Sequence, residues 1–181
     1  MPFPELSDTE MMWVIQQVPA FIEGERDHFF ATALPLSTNQ KTALQVFFSR
    51  SVLESSRVVL SRHRIPNPPF YVELARMGFD PSSLPDFSNM AAITFVDIVV
   101  SHEPLTDKLL FHELVHVVQY AKLGLADFAA KYVSGFLKGG TYEAIPLERN
   151  AYELDARFAA EPRSAFSVED EVQAWMAADK F

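Results

Sequence analysis

Apolar positions recur at helical spacing in most of the chain, interrupted by a few short β-rich runs. Ser7-x-x-Glu10 has capping-box spacing and precedes Met11, Val14, Ile15 and Val18, which predicts a helix over residues 8–30, bent or broken near Pro19. A second box, Ser37-x-x-Gln40, opens a stretch with Leu44, Phe47, Phe48 and Val52 on one face, read as one helix to about residue 55. Residues 57–62 and 70–74 are β-branched or aromatic and read as short strands around the turn-forming segment Ile65–Pro69. Gly78–Ser88 reads as a surface loop, and Ala91–Val100 carries the strongest strand signal in the chain.

The remainder is helical. Thr106 and Asp107 start a helix that stops at Gly124, and another covers 125–138 before Gly139-Gly140. A third starts at Pro146 and runs to about Ala160, and Ser167 caps a last one reaching Ala178. The expected fold class is α+β: a mostly helical single domain over 1–181 with a small sheet. It divides into N-terminal helices and short strands (1–90), a strand-helix-helix core (91–158) and a C-terminal helix (159–181).

Chemistry concentrates in the middle of the 107–123 helix, in His112-Glu113-Leu114-Val115-His116. Histidines at i and i+4 stack one turn apart on one helix face, where both can ligate one metal. Glu113 is rotated by about 100° and stands beside that metal as a general base for water. Average composition yields this pattern by chance in roughly one chain of this length in a couple of hundred. The flanking Leu109, Leu110, Leu114, Val117 and Val118 bury the helix, and buried imidazoles need polar partners.

There are no cysteines, so any bound metal relies on His, Asp, Glu or solvent. A catalytic zinc typically takes three protein ligands and keeps one position open. Gln119 and Lys122 stand where a metzincin has Gly and a third His, which excludes that class and leaves a downstream carboxylate. Glu148, early in a helix that follows a complete intervening helix and a glycine turn, ranks first, and Glu143 second. Asp155, seven residues on, shares the face of Glu148 and is a candidate acceptor for a ligand imidazole. Gln119 and Tyr120 either line the site or support packing. Tyr142, Tyr152 and His102 are candidate donors to a developing oxyanion, whereas His28 and His63 read as ordinary surface residues.

The stretch HELVHVVQY at 112–120, followed by YEAIPLERNAY at 142–152, resembles a group of bacterial metallopeptidase domains. Their helix carries H-E-L-x-H-x-x-Q, and their third ligand is a Glu in an E-x-x-A pattern, matched by Glu148 and Ala151. The resemblance covers about residues 91–158. More broadly the chain resembles gluzincins, although Tyr152 stands where their acidic partner of a ligand histidine falls. The resemblance implies a zincin-like arrangement, a Zn2+ cofactor, peptide-bond hydrolysis, and Ile93–Val100 as a substrate-binding edge strand. The competing readings are a non-catalytic zincin-like domain that serves as a protein-interaction module, and a helical protein without metal.

A net charge of -9 with no Lys/Arg cluster argues against nucleic acid as a partner. The N-terminal residues lack a signal-peptide pattern, and no window reaches the ~18 apolar residues that span a bilayer. A cytoplasmic protein acting on a peptide or protein substrate is the expectation; oligomeric state is not encoded in any motif.

Overall fold

The structure, a computed structural model, describes residues 3–181. It is α+β, with eight helices and one four-stranded mixed sheet among the described residues. Helix α1 (Asp8–Phe30) starts at the Ser7/Glu10 capping box and runs unbroken through Pro19. The helix expected over 38–55 is two: α2 (Thr38–Leu44) and α3 (Arg50–Ser55). Ser49 caps the second, and the turn between them drives Phe47 and Phe48 inward, so all four apolar residues of that face remain buried.

Strand β1 (Leu34–Pro35) pairs antiparallel with β2 (Arg57–Leu60). The run at 70–74, expected as a strand, instead begins a short helix, α4 (Tyr71–Arg76). Tyr71 and Val72 donate to the carbonyls of Pro68 and Pro69, which closes a helical turn in place of a ladder. The 78–88 segment contains a single 3₁₀ turn at Pro81–Ser83 and leads into another at Phe87–Asn89, capped by Asp80 and Asp86.

The apolar run 91–100 is a hairpin rather than one strand: β3 (Ala92–Phe95), a two-residue turn at Val96-Asp97, and β4 (Ile98–Ser101). Val96 takes a left-handed φ of 59°, a conformation that β-branched residues rarely adopt, which is why no turn signal was visible. Arg26 grips Asp97 with both Nε (2.6 Å) and Nη2 (3.1 Å), tying α1 to this turn. The strand order is β1-β2-β4-β3, with β2 and β4 parallel, so β3 is an edge and β4 is interior.

Helix α5 (Asp107–Leu123) starts at Thr106 and ends at Gly124, whose φ of 76° suits glycine. It separates two cores. On one side Phe47, Phe48, Phe111 and Phe158 pack with residues of α2, α3 and the last helix; Phe111 stacks on Phe158 at 4.5 Å. On the other, residues of α1, α4 and the hairpin meet α6 (Leu125–Gly139). Every residue from Leu110 to Tyr120 is buried, so the polar ones among them must be satisfied within the protein.

Helix α7 (Pro146–Ala160) begins after one 3₁₀ turn, Tyr142–Ala144, and α8 (Val168–Ala177) follows the cap at Ser167. The start of α7 sits against α6 because two glycines permit it. A Cβ on Gly135 would lie 2.5 Å from Pro146, and one on Gly139 2.5 Å from Ala144. That close approach turns the first residues of α7 back over α5. No helix among the described residues is long and apolar enough to cross a membrane.

Candidate metal centre

Helices α5 and α7 bring His112, His116 and Glu148 together, all buried, with one ligand atom from each lying within 4.8 Å of the others. Glu148 Oε2 stands 3.6 Å from His112 Nε2 and 3.4 Å from His116 Nε2. It has no hydrogen-bond partner although it is buried, an arrangement that costs about 1–3 kcal/mol or more for a charged group unless a cation offsets it.

The other nitrogen of each imidazole is engaged. His112 Nδ1 lies 3.0 Å from Asp155 Oδ2, and since a carboxylate only accepts, Nδ1 is the donor. His116 Nδ1 lies 2.9 Å from Gln119 Oε1. The Gln119 amide is oriented by its own bonds: Nε2 donates to Leu147 O (2.9 Å) and to Asn150 Oδ1 (3.0 Å), leaving only the oxygen to face His116. In the neutral form each imidazole therefore carries its proton on Nδ1 and turns an Nε2 lone pair toward Glu148, the tautomer a metal requires. The fully buried Gln119 also fastens α5 to the turn of α7 that carries Glu148.

Two imidazoles and one carboxylate without thiolates form a donor set that could hold a divalent metal ion. Without a metal, the cluster is an ion-pair network. Burial opposes a charge on His112, but the bonds to Asp155 and Glu148 outweigh it and push it up to about 10. His116 is opposed by burial likewise and is raised by Glu148. Burial raises Glu148, but the two imidazoles bring it down to about 2.

The signs set a stability window. The histidine contribution is complete below the ordinary value of 6.5 and is lost as pH rises toward 10. The Glu148 contribution is complete above the ordinary value of 4.5 and is lost as pH falls toward 2. Thermal melts of chelator-treated protein should hold steady between these ordinary values and decline on both sides. A flat profile up to pH 10 would contradict this ion pairing.

Glu113, buried on the same helix, accepts a 2.6 Å hydrogen bond from Thr94 Oγ1 of β3, which fixes its carboxylate beside the histidines. Tyr142 flanks Glu113; burial and the charge on Glu148 push its hydroxyl well up, so it stays a proton donor. Tyr152 is 44% exposed with its ring 4.6 Å from that of His112, and Lys108 Nζ approaches Asp155 at 3.7 Å. Glu143 is exposed on the turn before α7 and lies outside the His/His/Glu cluster. His102 lies elsewhere: its Nε2 faces the amide of Ile65, 3.4 Å away, and it does not line the cleft. His28 and His63 are exposed.

Two spaces open onto this centre. A cleft of ≈ 700 Å³ is lined by Asp86, Ala92, Glu103, Glu143, Tyr152 and Asp155. An apolar chamber of ≈ 120 Å³ lies beside Glu113, His116 and Glu148, walled by α1, the 68–87 segment and α6. Neither space was visible in the sequence, nor was the Thr94 bond to Glu113. The spacing of Gln119, three residues after His116, was the one available signal for its bond. Comparison with family models, curated proteins and solved structures returned no match for this chain.

Proposed function

We propose that this protein is a zinc-dependent peptidase of the gluzincin type, with His112, His116 and Glu148 as ligands and Glu113 as general base. The observation that carries the reading is the convergence of two correctly poised Nε2 atoms on a buried, unpartnered Glu148 oxygen, with a carboxylate on the same helix. A zinc ion there would supply a Lewis acid toward both a carbonyl oxygen and a water molecule.

Glu113 takes a proton from water as its oxygen attacks the amide carbon, then returns the proton to the departing nitrogen as the C–N bond breaks. The products are a carboxylate and an amine. Thr94 keeps Glu113 in line during this transfer. Tyr142, which borders both spaces and retains its proton, donates to the oxyanion that forms. The start of β3 borders the cleft at Ala92, and this end of the edge receives an extended substrate backbone, since further along the strand Thr94 O is already taken by Tyr120.

Incubation of the zinc-loaded protein with a mixed peptide library tests the reading. Cleavage should appear, stop on chelation and return with added zinc. A zinc-loaded protein that leaves every peptide intact would favour the protein-interaction module.

A further inference from the structure

The chamber beside Glu113 and Glu148 is not needed to hold a metal or to activate water. We infer that it receives one aromatic side chain of the substrate, an assignment of substrate class that rests on the peptidase reading above.

Its position comes first. Glu113, His116, Tyr142 and Glu148 form one end, so an occupant sits next to the bond under attack. The chamber and the cleft share Ala92, Glu113 and Tyr142 among their linings, so the two adjoin at these residues. A chain laid along the β3 edge can leave its backbone in the cleft and turn a side chain inward.

Size and chemistry narrow the occupant. At ≈ 120 Å³ the space is close to the ~150 Å³ apolar cavity that stays dry and takes one benzene ring. The walls are ring-rich: Phe21 and Phe70 meet edge to face at 6.2 Å, and Phe70 meets Tyr71 likewise at 5.4 Å. Such edges and faces suit another ring. Glu113 and Glu148 at the end beside the metal helix repel an acidic side chain. Glu148 faces the two imidazoles and Glu113 is held by Thr94, so a buried cation would have to compete with contacts already made.

The walls come from α1, the 68–87 segment, β3, α5 and α6, so residues far apart in the chain shape the space beside the metal helix.

Two arms test the inference. In the first, fluorobenzene is titrated into metal-free and zinc-loaded protein and followed by ¹⁹F NMR, which requires neither metal nor turnover. In the second, zinc-loaded Glu113→Gln protein is titrated with capped hexapeptides that carry Phe, Ala or Asp at each position in turn. Fluorobenzene should bind both forms, and at one position Phe should bind tenfold to a hundredfold tighter than Ala, on the order expected for one buried ring. Asp there should be weakest, because the apolar walls leave its charge unsolvated.

Val18→Trp and Val133→Phe, which fill the chamber from two different helices, should each abolish both effects in protein that still melts cooperatively. Absent fluorobenzene binding, or equal affinity for Phe and Ala peptides at every position, overturns the inference. Ring binding and Phe preference in a protein that never cleaves peptide would sustain the chamber and count instead against the peptidase reading.

Discussion

Glu113→Gln is expected to leave zinc content and melting temperature close to the parent's while lowering the hydrolysis rate by about 10²–10⁴-fold, the usual contribution of a positioned general base. The substitution is isosteric, and the amide oxygen can still accept the 2.6 Å bond from Thr94, so the side chain keeps its place. What it loses is the capacity to take a proton from water. Because Glu113 is outside the His/His/Glu cluster, the change does not remove a ligand. Steady-state kinetics with elemental analysis of the same sample checks both halves. Full activity would remove Glu113 from the mechanism, and lost zinc would mean that it contributes to metal binding.

Glu148→Gln should act on the other side of the division, through the metal. Its carboxylate is the anion facing both Nε2 atoms, and an amide oxygen is a far weaker zinc ligand. Removing partners one shell further out typically costs 10–100-fold in metal affinity, so loss of a direct ligand should exceed about 100-fold. The metal-free protein should suffer too, because breaking a buried ion pair costs on the order of 3–5 kcal/mol. Part of that loss is avoided as the imidazoles give up their charge. Competition against a chelating dye and melts with and without metal separate these effects. Unchanged zinc affinity would point to a different third ligand.

The fold was legible where local chemistry and tertiary packing agree. Thr106 and Gly124 bounded α5, Pro146 opened α7, and the intervening glycines announced a turn. Those features also made Glu148 the first carboxylate to consider, and the structure brings it to the two histidines. The failures share a cause. The turn at Val96 relies on a strained residue held by neighbours, including the ion pair between Arg26 and Asp97, and such support is invisible locally. Residues 70–74 have strand-forming side chains but join no sheet, and β propensity has meaning only in a sheet.

The centre divides in the same way. Histidine spacing is a property of one helix and can be read directly. The bonds from Asp155 to His112 and from Thr94 to Glu113 span 43 and 19 residues, and only the folded chain forms them. Tyr152, at the position where the gluzincins that the sequence resembles carry the acidic partner, packs on His112; Asp155, one turn further along α7, supplies the acceptor. The chamber is further from sequence still, since its walls come from stretches scattered between Val14 and Glu148.

The peptidase reading depends on a metal between α5 and α7, and the most direct measurement is zinc content with local coordination by X-ray absorption on protein purified without chelators or affinity metals. The expected result is one zinc per chain with two imidazole nitrogens and one carboxylate oxygen from the protein, lost in the His112→Ala/His116→Ala double variant. A wild-type protein that takes up no zinc, or a double variant that still holds it with the same coordination, would contradict the account.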